Sequence, residues 1–283
     1  MSLVQALILG VLQGATEFLP VSSSGHLVLV PWLLRWRSPP LVFDAVVHWG
    51  TAAAVIVYFR DEWVSLIRVA IHSVRAHRLF RGHSDNDRSQ QDMGAGGARM
   101  IWLIAVGTVP GVLAGYFLEG FFEGMFARPA AAAGFLLVTA ALLAASERLG
   151  RRERHLDELR WLDALVVGVG QALAILPGIS RSGATISAAL ARGVKREPAA
   201  RFSFLLATPI IFGAGLLKVI DLVRIGDLAL QGPALLVGFV AAAVVGFGCI
   251  HLLLRYLQRR RLYAFAVYCT VFGAACLVLA LGR

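Results

Sequence analysis

The stretch 262–281, LYAFAVYCTVFGAACLVLAL, carries no charged residue. It is as long as a helix needs to be to cross the hydrocarbon core of a bilayer, about 20 residues. Runs of similar character recur at about 41–59, 100–118, 130–147, 202–223 and 234–254. In lipid every backbone N–H and C=O must find its partner within the protein, so spanning segments are helices or closed barrels. A barrel would need alternating segments of about ten residues, and none is found. The chain is 58% hydrophobic, against about 45–50% for soluble domains. These runs predict an all-α polytopic membrane protein with six transmembrane helices. The N-terminal MSLVQALILG has neither a basic region nor an obvious cleavage site and is not read as a signal peptide.

Two further apolar regions, 2–35 and 161–193, are interrupted by polar segments, PVSSSGH at 20–26 and PGISRSG at 177–183. The pieces after the breaks, 25–35 and 183–193, reach only about 16 Å at 1.5 Å per residue, short of the ~30 Å core. Each region is therefore expected to form a re-entrant helical hairpin that enters and leaves on one side.

Charge supports that count. The loops at 60–99, 148–160, 192–201 and 255–261 hold 20 of the 27 Lys and Arg residues, and the opposite face holds five. Basic residues gather in cytoplasmic loops, so both termini are expected on the outer side of the membrane. The formal net charge of +10 has the same origin, and no nucleic-acid motif accompanies it. Cys249, Cys269 and Cys276 lie in apolar segments without ligand-like spacing.

Shifted by 158 residues, the broken regions align without a gap: Gly10 on Gly168, Gln13 on Gln171, Ser22 on Ser180, Ser24 on Ser182 and Gly25 on Gly183. Residues 1–283 then form one membrane domain of two repeats. Repeat one is 1–147, with hairpin 2–35 and three spans; repeat two is 161–283, with hairpin 161–193 and three spans. Three is odd, which predicts an inverted-topology repeat whose hairpin tips meet near mid-membrane.

The tips carry the chemistry. Pro177 and Gly178 break the incoming helix, and Ser180, Ser182 and Gly183 suit the cap of the outgoing one. Free N–H groups at such a start bind anions, and the Arg181 fork matches phosphate. Thr185 adds a hydroxyl one turn on. Tip one repeats the plan with Ser22, Ser23, Ser24 and Gly25, and brings Glu17, Gln13 on the same helix face, and His26. An anion cradle, an Arg, a carboxylate, a His and hydroxyls together suit phosphoryl transfer. The plain alternatives are that the serines only cap helices and that His26 and His48 are packed polar residues. Arg181 resists such a reading because no bilayer edge is within its reach. Asp44, Asp221 and Lys218 fall near expected outer ends, where snorkelling or pairing accounts for them. Glu119 and Glu123 read as solvated charges, and 81–99 as a flexible cytoplasmic loop.

QGATEFLPVSSSGH (13–26) and PGISRSGAT (177–185) resemble the two signature segments of the bacterial undecaprenyl-diphosphate phosphatases, also described as bacitracin-resistance proteins. The resemblance extends over nearly the whole chain in length, span order and motif spacing. It implies removal of the terminal phosphate of undecaprenyl diphosphate, which recycles the lipid carrier of cell-wall synthesis. It also implies a divalent cation, Mg²⁺ or Ca²⁺, and a site open to the periplasm. By position it makes Glu17 the essential acid, Ser23 and His26 the nucleophile and its acid–base partner, and Ser180, Arg181, Ser182 and Thr185 the phosphate-binding set. Position 13, where the family admits Glu or Gln, is Gln13 here; with Glu17 it is the candidate metal ligand, though a neutral amide is a poorer one. The expected partners are the polyprenyl diphosphate and membrane lipids, with a homodimer left open and no nucleic acid.

Two mechanisms are open: attack by Ser23 with His26 or Glu17 taking its proton, or attack by a water that His26 activates. The rival function is a transporter or flippase using the same anion pocket. Either reading requires Glu17 and Arg181 to reach one headgroup; a separation beyond ~20 Å would rule it out.

Overall fold

The computed structural model describes residues 1–78, 88–150, 152–225 and 228–282. The fold is all-helical: α1 (Leu3–Phe18), α2 (Ser23–Leu33), α3 (Leu41–Tyr58), α4 (Arg60–Arg78), α5 (Arg88–Phe117), α6 (Glu119–Phe126), α7 (Pro129–Leu149), α8 (Trp161–Leu173), α9 (Arg181–Ala191), α10 (Arg196–Ile225), α11 (Leu228–Arg259) and α12 (Tyr263–Leu281). Among the described residues, five stretches are long and apolar enough to cross a membrane: Gly96–Phe117, Pro129–Leu149, Arg196–Leu216, Gly232–Arg259 and Tyr263–Leu281. A sixth arises if α3 and α4 count as one broken span, bent by 82°.

That bend revises the expected loop at 60–99. Trp63, Leu66, Ile67, Ala70 and Ile71 recur at helical spacing among Arg60, Asp61, Glu62 and Arg68. The pattern makes α4 amphipathic, suited to lie along a membrane surface after the turn at Phe59. Residues 88–99, also expected as flexible loop, form the first turns of α5, and Arg99 donates to the carbonyls of Asp157 and Leu159. Residues 79–87 lie outside the described residues. So do the side chains of Glu119, Glu123, Lys218 and Asp221, on which the sequence reading placed solvated or snorkelling roles.

The two broken regions form helix–break–helix pairs, α1–α2 and α8–α9, each packed on itself. α2 and α9 have 11 residues each, about 16 Å at 1.5 Å per residue. Both pairs are wrapped by longer helices: α1 lies on α11, α8 on α5, α3 on α10 and α11, and α7 on α12. Two of these crossings depend on glycine. A Cβ at Gly10 would stand 2.6 Å from the Gly238 carbonyl oxygen, and one at Gly168 would collide with the Gly107 carbonyl. Small residues let membrane helices approach this closely and gain packing that lipid tails cannot supply.

Two buried carboxylates staple one end of the bundle. Arg196 grips Glu147 with two hydrogen bonds of 2.7 Å, Arg152 lies 2.9 Å away, and the Leu262 N–H donates to the same carboxylate. Asp163 accepts from Arg154 at 2.6 Å, Arg192 at 2.7 Å and the Arg160 N–H at 2.8 Å. The bond to Asp163 raises the Arg154 pKa above its ordinary value. Four residues counted above as loop charges are thus partners of buried carboxylates that join α7, α8, α9, α10 and the start of α12.

The glycine crossing is testable. Gly168→Ala must push α8 off α5 and should lower stability in detergent by roughly 1–3 kcal/mol, read from thermal unfolding. Gly134→Ala, where no atom lies within 4 Å of the new carbon, should leave the midpoint unchanged or raise it. Equal midpoints for both variants would contradict the close approach.

Candidate active site

Both breaks are built on one plan. In tip one, Ser22 caps α2: its Oγ accepts the Gly25 N–H at 3.2 Å and lies 3.3 Å from Ser24 Oγ. In tip two, Ser180 caps α9: its Oγ accepts the Gly183 N–H at 3.0 Å and lies 3.2 Å from Ser182 Oγ. A side-chain cap satisfies one of the amides that a helix start leaves open and leaves others for a ligand. Ser22 has φ of +71°, a region that costs a non-glycine residue energy and is found at functional sites. Gly178 has φ of +103°, and a Cβ there would strike the Ala132 carbonyl.

The tips touch. A Cβ on Gly25 would lie 3.0 Å from the Gly178 Cα, and Ser182 Oγ donates to the Leu19 carbonyl at 3.2 Å. Glu17, in the last turn of α1, is the shared acceptor. Its Oε1 takes the Arg181 guanidinium, and its Oε2 takes Ser23 Oγ at 2.5 Å and Gln13 Nε2 at 2.9 Å. His48 Nε2, on α3, lies 3.6 Å from the same Oε2. Its Nδ1 is 2.7 Å from the Asp44 carbonyl oxygen; a carbonyl only accepts, so Nδ1 carries the proton.

Beside this cluster opens a cavity of about 470 Å³. Glu17, Ser22, Ser23, Ser24, Ser180 and Arg181 form its polar side; Phe122, Phe126, Ile175, Ile179, Ile210 and Ile211 form an apolar wall. A hydroxyl on a carboxylate, a guanidinium beside it and two capped helix starts suit a polyanionic headgroup. The apolar wall suits the chain attached to it.

Not every candidate faces the cavity. His26 is buried against α12: Nδ1 donates to the Ser22 carbonyl at 2.7 Å, and Nε2 lies 2.7 Å from the Tyr268 hydroxyl, which donates to it. The ring stacks on Tyr268 and Phe272. Thr185 bends back onto the Arg181 carbonyl at 2.7 Å and meets Ser203 Oγ at 2.6 Å, as hydroxyls in helices often do. Ser182 spends its hydroxyl on Leu19. Gly25 and Gly183 serve as capped amides. Gln13 is fully buried behind Glu17 and orients it.

Four residues were missed as parts of the site. Asp44, read as an outer-end charge, lines the cavity together with His48, one turn away on α3; their i, i+4 spacing was a usable signal. Gln171 also lines it, and the 158-residue shift onto Gln13 pointed there. Thr139 of α7 left no signal: its Oγ1 donates to the Gly178 carbonyl and accepts the Ser180 N–H, both at 2.9 Å.

Among the described residues no group of three or more His, Cys, Asp or Glu is arranged to hold a metal ion. The oxygen donors nonetheless suit a hard cation. Glu17 is a carboxylate at the polar side, and the buried Oε1 of Gln13 has no hydrogen-bond partner. Mg²⁺ is typically held by one or two carboxylates plus substrate phosphates.

The family model described as "Bacitracin resistance protein BacA" matches residues 6–275. A protein of Desulforudis audaxviator named "Undecaprenyl-diphosphatase" is 40% identical over 279 residues, 99% of this chain and 98% of its own length. A namesake from Pelotomaculum thermopropionicum is 41% identical over 283 residues, 100% and 98% of the two chains. Another, from Syntrophotalea carbinolica, is 43% identical over 274 residues, 96% and 97%.

Thr139 allows a check on how tip two is held. Thr139→Val keeps the shape but strands one backbone carbonyl and one N–H, each at a cost of ~1–3 kcal/mol. The unfolding midpoint in detergent should fall, and Thr139→Ser should restore it. A Val variant as stable as the parent would mean the tip is held by other contacts.

Proposed function

The chain belongs to the bacitracin resistance protein BacA family, and on that premise we propose that its paired tips hydrolyse the diphosphate of a polyprenyl lipid at Ser23. The protein is an undecaprenyl-diphosphatase, a multi-pass membrane hydrolase. The observation that carries the mechanism is that Ser23 and Arg181, from different tips, both bond to Glu17 at the edge of the cavity.

The prenyl chain lies along the apolar wall and the diphosphate enters between the tips. Arg181 exchanges its bond to Glu17 for phosphoryl oxygens, which its planar fork matches in pairs, and offsets charge growing in the transition state. Ser23 Oγ attacks the terminal phosphorus and gives its proton to Glu17. The bond from that phosphorus to the bridging oxygen breaks, and the lipid monophosphate leaves with the electron pair. Water then attacks phospho-Ser23, the Oγ–P bond breaks, Ser23 regains a proton and phosphate departs. His48, beside Glu17 Oε2, takes the acid–base place that the sequence reading gave to His26. His26 instead fixes the start of α2 against α12. A divalent cation, Mg²⁺ or Ca²⁺, would be held by Glu17 and the Gln13 amide oxygen and would neutralise headgroup charge.

The same reading places the molecule in the inner membrane, with both termini and the cavity mouth periplasmic and the basic loops cytoplasmic. The α1–α2 and α8–α9 pairs are re-entrant and related by an inverted repeat. The matched crossings, Gly10 on Gly238 and Gly168 on Gly107, and the matched Ser22 and Ser180 caps support this arrangement.

Arg181→Ala should abolish phosphate release from polyprenyl diphosphate, and Arg181→Lys should recover only part of it, because Lys lacks the planar fork. Ser23→Ala should lose roughly 10³-fold or more in turnover. The assay is run in detergent, where a transporter that needs a gradient would release no phosphate. Full turnover by Ser23→Ala would leave attack by water, and native turnover by Arg181→Ala would remove the clamp from the mechanism.

A further inference from the structure

We propose that Gln171 is a direct ligand of the diphosphate headgroup, holding a phosphoryl oxygen through its side-chain amide; this rests on the assignment of the cavity as the substrate site. Gln171 lies near the end of α8, is only 2% exposed and lines the cavity. Neither its Nε2 nor its Oε1 has a hydrogen-bond partner. Exchanging the two ends of the amide changes nothing, since both are unpartnered. A buried amide without partners is costly, and a native protein that keeps one generally has an occupant for it.

The repeat indicates what that occupant is. Gln13, its equivalent 158 residues earlier, donates Nε2 to Glu17 Oε2 at 2.9 Å. The residue in the Glu17 position of the second repeat is Ile175, which also lines the cavity. Where the first amide meets a carboxylate, the second has a hydrocarbon side chain at the matching position and, at the cavity wall, no partner of its own. An anionic oxygen brought by a ligand supplies the missing acceptor. Gln171 and Arg181 flank the tip-two break in sequence and both line the cavity, which is what a shared headgroup requires. The Gln171 amide also stands beside α5, where a Cβ on Gly111 would come 3.7 Å from Nε2. Being neutral, the amide orients a phosphoryl oxygen without the long-range pull of a second cation. That suits a group that must release phosphate after each turnover.

The test uses the full-length chain in detergent with Ser23→Ala as the parent, so that binding is read without turnover. The probe is farnesyl diphosphate, titrated against the parent, Gln171→Leu, Gln171→Glu and Arg181→Ala, each with a thermal unfolding curve. Gln171→Leu should weaken Kd about tenfold, the loss expected for one hydrogen bond to a charged group. Its unfolding midpoint without ligand should be unchanged or higher, because the amide it removes has no partner. Gln171→Glu should bind more weakly still, by like-charge repulsion. Gln171→Leu binding within twofold of the parent while Arg181→Ala binds poorly would overturn the role of Gln171 alone. A lowered midpoint with unchanged Kd would do the same, making the amide structural. Parent-like binding by both Gln171→Leu and Arg181→Ala would instead overturn the assignment of the cavity.

Discussion

The pairing of Arg181 with Glu17 is the contact on which the architecture turns. A guanidinium or a carboxylate deep in a membrane protein is tolerated only when another group takes up its charge and its hydrogen bonds. Each charge here sits beside a helix break, and each break exposes backbone groups that lipid cannot satisfy. The two breaks therefore stabilise one another. Tip one supplies the acceptor for tip two's cation, tip two's Ser182 caps the carbonyl of Leu19, and Gly25 and Gly178 permit the contact. α7 holds the assembly from behind through Thr139.

The pairing that joins the two tips also sets out the groups that the proposed chemistry uses. Glu17 keeps the Ser23 hydroxyl at 2.5 Å while Arg181 blocks the other oxygen. In the proposed mechanism a diphosphate competes with Glu17 for Arg181, so that binding loosens the ion pair as it places phosphorus near Ser23. Interactions that gain strength as the substrate reacts lower the barrier more than those already complete on binding. The apolar wall adds uniform affinity for the chain and no chemistry. This division matches an amphiphilic substrate whose reacting group is small and whose tail is long.

Much of this was legible in the sequence because bilayer physics leaves few alternatives. Apolar length gave five of the six expected spans, the one at 41–59 counting only together with α4 across the bend, and a polar break with an eleven-residue remainder marked α2 and α9 as too short to cross. The serines and glycine after each break, at 22–25 and 180–183, pointed to two helix caps. Direction was harder to read. His26 follows the serine run closely, yet its partner, Tyr268, is 242 residues away, and no local pattern shows which way a ring turns. The same holds for Thr185, whose hydroxyl stays with its own helix and Ser203. Asp44 looked like an outer-end charge because hydropathy locates a span's end but not the cavity beside it. The amphipathic period of α4 is present at 63–71, but the basic residues around it fit a loop equally well.

The most direct measurement of the central contact is a double-mutant cycle on unfolding stability in detergent, using Glu17→Gln, Arg181→Gln and the two combined. Each single change strands a buried charge, whereas the double change leaves neither charge of the pair. The account requires the double variant to be more stable than either single one. Additive losses, with the double variant the least stable of the three, would mean that the two charges do not meet and that the tips form no common site.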